Sequence, residues 1–274
     1  MGRALARKPH QEGLIRLIQF SDTHLYAKPE GELLGFNTYD GFKAVIDDIV
    51  ENRQVPSLYV ASGDIAQQEV PASYHLFGRE VERLQAPCAW IPGNHDDVPM
   101  MLPILQEYGL VADKHFLLGK WQIILLDSQV IGDTFGCLAD FQLRFLEHAL
   151  AGYPHHHTLI FLHHQVVPVG SEWLDNIGLR NADQFLALME RFPKVKAVVC
   201  GHVHQDSKIE HQGIQYMSVP STCIQFKTQS SGFAVEGLPP GYRELLLDAE
   251  GNVESTVYRI EDFPVSFDMT AKGY

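Results

Sequence analysis

Five short segments of this sequence place carboxylate, amide and imidazole side chains directly after runs of apolar residues. The runs have the length and composition of β-strands, and they cover residues 15–20, 58–61, 88–91, 159–162 and 197–200. The segments that follow them are Asp22-Thr-His24, Gly63-Asp64, Gly93-Asn-His-Asp96, His163-His164 and Gly201-His-Val-His204. Because parallel strands of one sheet end at the same edge, residues from distant parts of the chain can meet there. The pattern predicts parallel strands whose carboxyl ends share one site.

The rest of the sequence alternates between apolar runs and amphipathic helical patterns. Helices are predicted near residues 38–52, with Thr38 as a candidate cap, and near residues 71–84, 98–108, 138–150 and 183–192. Further strands are expected at 122–127 and 195–200, and antiparallel hairpins at 208–219 and 242–260. Residues 227–241 between the hairpins are rich in Ser, Gly and Pro and predict a long loop. We expect an α/β fold of mixed sheets covered by helices, in one domain spanning residues 1–274, with 1–12 and 264–274 loosely ordered.

Charge and composition argue against several classes of protein. The formal net charge of −13 is the opposite of what a nucleic-acid groove needs. The sequence shows no apolar stretch of membrane-spanning length, and its first residues contain no apolar secretory core. The four cysteines, Cys88, Cys137, Cys200 and Cys223, are widely spaced, which is typical of reduced thiols. We therefore expect a soluble, cytoplasmic protein that binds neither nucleic acid nor membrane.

The polar segments offer the donors that a two-metal centre requires. Two divalent ions roughly 3.5–4 Å apart neutralise an anionic ester and activate water near neutral pH. Asp64 is the candidate for the carboxylate that bridges them. Asp22 and His24 lie two residues apart, so in an extended segment both side chains would point to the same side and bind one ion. His202 and His204 share this spacing, but in a turn each could reach a different ion.

The remaining segments leave alternatives open. Asn94 offers a neutral oxygen to a second ion, and His95 would then stand beside the substrate as a proton donor or acceptor. Asp96 either orients the His95 ring or caps the following helix. His163 and His164 face opposite ways in a strand, so one ring is expected to bind metal and the other to support it.

Taken in order, the segments match D-x-H, G-D, G-N-H-D/E, a histidine and G-H-x-H, and the chain resembles the calcineurin-like metallophosphoesterases that share this pattern. Within that superfamily it is similar to the class III cyclic-nucleotide phosphodiesterases. The similarity runs nearly from end to end, through residues 21–25, 34–37, 90–96, 126–129, 171–175, 179–181, 220–226 and 273–274. The resemblance implies a four-layer α/β/β/α sandwich of two mixed sheets and hydrolysis of 3′,5′-cyclic AMP to 5′-AMP. It also implies two divalent ions, iron or manganese first, with zinc, cobalt or magnesium as alternatives.

The resemblance carries over to particular positions of this chain. One ion would be held by Asp22, His24, Asp64 and His204. The other would be held by Asp64, Asn94, His202 and one of His163 or His164. A bridging hydroxide would attack phosphorus, His95 would assist departure of the ribose 3′ oxygen, and the residues against the substrate would be His24, Asp64, Asn94, His95 and His204. Gln165-Val166 departs from the pattern, since relatives often carry His-Pro or Pro-Pro there.

Several alternatives accompany this hypothesis. The substrate could instead be a 2′,3′-cyclic nucleotide or a glycerophosphodiester, and residues 221–241 would shape the substrate side of the pocket. A non-enzymatic, metal-bound interaction protein on the same fold is a second alternative. Relatives can form homodimers, but no interface stripe in this sequence decides the oligomeric state. The run of histidines at 155–157 follows Pro154 and is read as a solvated surface run rather than a metal tract.

Overall fold

The computed structural model describes residues 3–4, 13–266, 268, 270–271 and 273. The strands are β1 (Arg3–Ala4), β2 (Ile15–Phe20), β3 (Glu32–Leu33), β4 (Phe36–Asn37), β5 (Leu58–Ala61), β6 (Cys88–Trp90), β7 (His115–Leu118), β8 (Trp121–Leu125), β9 (His157–Phe161), β10 (Val195–Cys200), β11 (Ser207–His211), β12 (Ile214–Ser218), β13 (Gln225–Phe226), β14 (Val235–Glu236), β15 (Gly241–Leu247) and β16 (Val253–Arg259). The helices are α1 (Thr38–Asn52), α2 (Pro71–Val81), α3 (Val98–Glu107), α4 (Asp140–Gly152), α5 (Glu172–Asp175) and α6 (Ala182–Met189).

Two mixed sheets carry twelve of these strands, and the pairs β3–β4 and β13–β14 form two separate two-stranded sheets. The seven-stranded sheet has the order β1-β7-β8-β9-β10-β12-β11, and the five-stranded sheet has the order β16-β15-β2-β5-β6. Strands β8, β9, β10 and β12 run parallel to one another, as do β2, β5 and β6. The pairs β7–β8, β11–β12, β2–β15 and β15–β16 are antiparallel. Each sheet therefore has a block of parallel strands whose carboxyl ends lie at one edge.

Three hydrophobic clusters define the layers between and outside the sheets. One packs α1 and α2 against the five-stranded sheet through residues such as Phe42 and Phe77. A second lies between the two sheets and includes Trp121. A third packs α4 and α6 against the seven-stranded sheet through Leu146 and Phe185. The order is helices, sheet, sheet, helices, and this confirms the four-layer α/β/β/α sandwich.

The pleat of the strands explains why the apolar runs are continuous, except at Arg16 and Gln19 in the run 15–20. Leu17 faces the cluster between the sheets, whereas its neighbour Ile18 faces the helices on the other side. Leu159 and Ile160 divide in the same way between the intersheet cluster and the layer of α4 and α6. A strand covered on both faces has no polar side, so its sequence shows no alternation. The unbroken apolar runs are therefore the mark of the buried parallel strands.

Most predicted elements are present, with some bounds and one cap corrected. Helix α1 spans the predicted residues, but the cap prediction for Thr38 was wrong. Its N-cap is Asn37, whose side-chain oxygen accepts a hydrogen bond of 2.9 Å from the Asp40 amide. Thr38 is already the first helical residue, so the extended residue before it takes the cap. Helix α3 continues through Pro103.

Further regions differ from the sequence prediction, and the short elements β1, β3, β4 and α5 were not predicted. Strand β7 pairs with β8 across a tight turn and was not predicted. Residues 227–241 are not one continuous loop, because β14 within them pairs antiparallel with β13. Of the termini predicted to be loosely ordered, 1–12 is described only at residues 3–4, and 264–274 is described except at 267, 269, 272 and 274, so that expectation stays a prediction. Among the described residues, no helix combines the length and apolar composition needed to cross a membrane.

Candidate metal centre

The five predicted segments converge at the carboxyl ends of both blocks of parallel strands. The five-stranded sheet supplies the segments after β2, β5 and β6, which carry Asp22, His24, Asp64 and Asn94. The seven-stranded sheet supplies the segments after β9 and β10, which carry His163, His164, His202 and His204. The ligand atoms of the aspartates and histidines fall into overlapping groups of three within 4.8 Å of one another. The centre is thus shared between the two sheets.

Most of these residues adopt a left-handed backbone conformation. The φ angle is positive at Asp22 (57°), His24 (45°), Asp64 (50°), His202 (64°) and His204 (46°). The assumption of an extended segment at Asp22 and His24 was therefore wrong. Their amides donate to the carbonyl oxygens of Gly63 (2.9 Å) and Asp64 (3.0 Å), which turns the chain. Non-glycine residues in this region cost about 1–3 kcal/mol each and cluster at functional sites.

Asp22, His24 and His204 form the first group of candidate ligands. The Nε2 atoms of the two histidines are 3.1 Å apart, and His204 Nε2 lies 3.4 Å from Asp22 Oδ1. His24 Nδ1 is 2.8 Å from the side-chain oxygen of Gln67, and His204 Nδ1 is 2.9 Å from the carbonyl oxygen of Ile224. Because both Nδ1 atoms face acceptors, each ring carries its proton there and presents the Nε2 lone pair to the centre.

Asp64 lies between this group and the second one. Its Oδ2 is 3.8 Å from His24 Nε2 and 3.3 Å from His163 Nε2, and its Oδ1 accepts a 2.9 Å hydrogen bond from the His95 amide. Glycine is required on both sides of this carboxylate. Gly63 has φ +103°, and a Cβ on Gly93 would overlap the Asp64 side chain. The G-D and G-N motifs therefore allow close approach of the two loops.

His163, His164 and His202 form the second group, close to Asn94. All three are buried. Within the described part of the chain the Nε2 atoms of His164 and His202 have no hydrogen-bond partner, whereas His163 Nε2 faces Asp64 Oδ2 at 3.3 Å. The side-chain oxygen of Asn94 likewise has no hydrogen-bond partner among the residues that the structure describes. A buried polar atom without a partner costs roughly 1–3 kcal/mol, so three of them in one place indicate a site that binds a ligand. Three imidazole nitrogens and an amide oxygen are a donor set that fits a divalent transition-metal ion.

Burial and neighbouring charges set the protonation of the centre. Burial lowers the pKa of His24 to about 3, against the attraction of Asp64. Burial also opposes the charged form of His163, but the carboxylates of Asp64 and Asp22 outweigh it and raise the pKa to about 9. Asp64 is buried as well, yet His163 and the other histidines hold the pKa of its carboxyl well below the usual range. A cation that takes His163 as a ligand must displace its proton.

Asp96 connects the two loops that carry Asp64 and Asn94. Its carboxylate accepts hydrogen bonds from the backbone amides of Ile65 (3.1 Å), Ala66 (3.2 Å) and Gly93 (2.9 Å). Burial, together with the Asp64 charge, raises the pKa of this carboxyl to about 7. The position of both loops therefore depends on one buried side chain.

The alternative of a helix cap at Asp96 was wrong. The N-cap of α3 is the next residue, Asp97, whose carboxylate accepts a 2.9 Å hydrogen bond from the Met100 amide. Asp97 has the extended backbone of a capping residue, whereas the Asp96 side chain points to the backbone of the preceding loops. The role of Asp96 in orienting the His95 ring stays a prediction.

Three polar side chains support the centre without having been predicted to do so. Gln67 fixes the His24 ring, and Ser128 Oγ lies 2.8 Å from His164 Nδ1. Gln129 donates a 2.8 Å hydrogen bond to the carbonyl oxygen of Gly93. Ser128 and Gln129 belong to the stretch 126–129 that carries the family resemblance, so the sequence held a signal for them. Gln67 had none.

Two other predictions concern residues outside the set of candidate ligands. His157 begins β9, at the opposite end of that strand from His163, and is buried against Trp121 with ring centroids 5.3 Å apart. The prediction of a solvated run therefore fails for His157, because its strand enters the core there. Cys88, Cys200 and Cys223 are buried, Cys137 is partly buried, and all four are free thiols, as predicted.

The fold and the donor set define the class of protein. The model of the calcineurin-like phosphoesterase family matches residues 15–206, and the chain belongs to this family. That range includes every candidate ligand described above. Membership of a metallophosphoesterase family implies divalent metal ions, for which the histidine and aspartate groups are suited.

Comparison with individual proteins points to a narrower group within this family. The chain is 41% identical over 264 residues to the 3′,5′-cyclic adenosine monophosphate phosphodiesterase CpdA of Escherichia coli (strain K12), covering 96% of each protein. It is 44% identical to CpdA of Vibrio vulnificus, again with 96% of each covered. Among solved structures it is similar to a dimetal phosphatase from Danio rerio, with a TM-score of 0.66 and 15% identity over 90% of this chain and 99% of that one. The structural likeness shows the shared fold, and the sequence relatives are close enough to suggest a substrate.

Proposed function

We propose that this chain hydrolyses 3′,5′-cyclic AMP to 5′-AMP at a centre of two divalent ions bridged by Asp64. The observation that carries the proposal is the position of this carboxylate. Its Oδ2 lies 3.8 Å from a nitrogen of the first ligand group and 3.3 Å from a nitrogen of the second. The full-length similarity to enzymes named as cyclic AMP phosphodiesterases supports the choice of substrate.

The ligand sets follow from the two groups. The first ion would be held by Asp22, His24, Asp64 and His204. The second would be held by Asp64, Asn94, His163 and His202. Nδ1 has a hydrogen-bond partner in both rings, and we assign His163 rather than His164 because its Nε2 lies 3.3 Å from Oδ2 of Asp64, the proposed bridge. Two such ions neutralise phosphate oxygens and lower the pKa of bound water.

Residues of the chain itself perform the remaining steps. His95 is partly exposed at the centre, and its ring lies 5.0 Å from that of His24. We propose that its imidazolium donates a proton to the ribose 3′ oxygen as the bond from that oxygen to phosphorus breaks. A water-derived oxygen forms the new bond to phosphorus, which yields 5′-AMP. Asp96 acts through position, since it holds the loops of Asp64 and Asn94 together.

The first experiment measures turnover by metal-stripped protein reconstituted with Mn²⁺ or Fe²⁺. The substrates are 3′,5′-cyclic AMP and, as a synthetic diester, bis(p-nitrophenyl) phosphate. The proposal expects hydrolysis of both, and its loss on addition of a chelator. Activity on the synthetic diester alone would keep the metal chemistry and remove cyclic AMP as the substrate. Manganese or iron as the native metal, a cytoplasmic location and the oligomeric state stay predictions.

A matched pair of variants tests the bridge. Asp64→Asn keeps the shape of the side chain but removes the negative charge that two ions would share, so turnover should fall at least 100-fold, about 2.7 kcal/mol of activation free energy. Asp133→Asn makes the same change at an exposed position and should behave as the wild type. Circular dichroism and metal content are measured on both. Retained turnover in a folded Asp64→Asn protein would refute the bridging role.

A further inference from the structure

A cavity of about 290 Å³ opens directly beside the metal centre. Asn94, His95 and His202 line it on the side of the centre. Aromatic rings line it elsewhere, from two separate parts of the chain: Trp173 from α5, and Phe226 and Phe233 from β13 and the turn that follows it. Sites for small molecules are typically concave, largely apolar and equipped with a few polar groups at one place, with volumes of roughly 300–1,000 Å³. This cavity has that composition.

The three rings form one continuous cluster. The ring centroid of Trp173 is 4.9 Å from that of Phe226 and 5.4 Å from that of Phe233, and both pairs are edge-to-face. Phe226 and Phe233 are 5.6 Å apart, also edge-to-face. Such contacts fix the rings in orientation, because edge-to-face pairs are favoured by the aromatic quadrupole. The cavity therefore has a preformed aromatic wall.

The wall begins at a candidate metal ligand and extends away from it. Phe226 is buried and stacks on the His204 ring, with centroids 4.1 Å apart and planes 10° from parallel. Trp173 and Phe233 lie one ring further out and are partly exposed. If the phosphate of a bound molecule lies at the ions, the part of the molecule next to the phosphate would therefore contact the aromatic wall.

The occupant must match both ends of the cavity. A phosphodiester of glycerol carries hydroxyl groups beyond its phosphate and would leave the aromatic wall against polar atoms. A nucleoside cyclic phosphate carries a flat purine ring one ribose away from its phosphate, and every nucleobase has a π-face that stacks on aromatic side chains. The wall therefore distinguishes two substrate classes that the metal centre alone accepts equally.

We infer that Trp173 and Phe233 form a nucleobase-binding cleft, which makes this centre selective for nucleoside cyclic phosphates over diesters without an aromatic ring. The inference rests on the proposed phosphodiesterase function and adds a recognition site to it. The cleft contributes to binding and leaves the chemistry at phosphorus to the centre. Its loss should therefore raise KM and change kcat little.

The test compares two substrates that differ in one group. One is 3′,5′-cyclic AMP, and the other is its base-free analogue, a ribose 3′,5′-cyclic phosphate with hydrogen in place of adenine. Turnover of both is followed by phosphate release after treatment of the products with alkaline phosphatase. Trp173→Ala and Phe233→Ala should each lower kcat/KM for cyclic AMP by roughly 5- to 100-fold, mainly through KM. Hydrolysis of the base-free analogue should be unchanged, which also shows that the centre is folded.

Two control variants complete the design. Trp173→Phe retains a stacking ring and should recover most of the lost efficiency on cyclic AMP. Phe141→Ala removes an aromatic ring that is 61% exposed on α4 and should alter neither substrate. An equal loss on both substrates, or no loss on cyclic AMP, overturns the cleft. Failure of the wild type to hydrolyse cyclic AMP at all would instead overturn the proposed function.

Discussion

Replacement of Asp96 by alanine should destabilise the protein by an amount that its hydrogen bonds predict. The carboxylate accepts from three backbone amides, those of Ile65, Ala66 and Gly93, and all of these contacts are buried. A buried amide left without an acceptor costs about 1–3 kcal/mol. The low end of this range applies to Asp96→Ala, because the substitution also removes a carboxyl group from beside the Asp64 carboxylate. Three amides at roughly 1 kcal/mol each give about 3 kcal/mol.

A neighbouring residue supplies the control. Asp97 accepts a backbone hydrogen bond as the cap of α3, and loss of such a cap costs about 1 kcal/mol. For a chain of this size 1 kcal/mol lowers Tm by about 2–4 °C, so we expect decreases of about 6–12 °C for Asp96→Ala and about 2–4 °C for Asp97→Ala.

The assays are thermal unfolding, which gives Tm, and urea unfolding, which gives the free energy of unfolding, both on metal-stripped protein and followed by circular dichroism. Metal must be removed first, because a bound ion stabilises the folded state by an amount that depends on its concentration. Equal denaturant slopes for the variants make their free energies of unfolding comparable. If Asp96→Ala is no less stable than Asp97→Ala, the carboxylate does not hold the two loops together and its proposed role is refuted.

Two further substitutions test the geometry of the centre. His163→Gln should reduce the bound metal from two ions per chain to one, measured by elemental analysis, whereas His164→Gln should keep both; the opposite result would assign the ligand to His164. Gly93→Ala should introduce a Cβ into the Asp64 side chain, cost about 1–3 kcal/mol and abolish turnover. Gly152→Ala, where a Cβ meets nothing within 4 Å, should leave Tm and turnover essentially unchanged, and equal effects of the two glycine substitutions would contradict the overlap at Gly93.

The sequence predicts the buried strands of this fold well because each is an apolar run that ends in a polar motif. The bounds of α1 were predicted for a similar reason, since its buried positions recur at helical spacing. Strand β7 was missed because its pairing depends on a tight turn to β8, and β14 because its two residues gain strand structure only by pairing with β13. Short elements of this kind are set by tertiary contacts rather than by local propensity.

The candidate site could be predicted in composition but not in conformation. The types and order of the residues identify the donors, because carboxylates and imidazoles that follow five separate strands are the ligands of a shared metal site. The left-handed backbone at His24 and Asp64 has no sequence signal beyond the adjacent glycine of the second. The contacts of Gln67 and Trp173 also could not be foreseen, because each joins two parts of the chain that are far apart in sequence and meet only in the folded structure.

The division of the centre between two sheets has a consequence for its biosynthesis. The amide of His202 donates to the Asp22 carboxylate, across 180 residues of chain. At roughly 5–20 residues per second, a ribosome needs about 10–40 s to travel between them. Throughout that interval the emerging chain displays its first carboxylate without the histidines that will surround it. Strand β15, which pairs with β2, is made later still. A chain released early therefore cannot complete the centre, and phosphodiesterase activity would report that translation has passed the last of these elements.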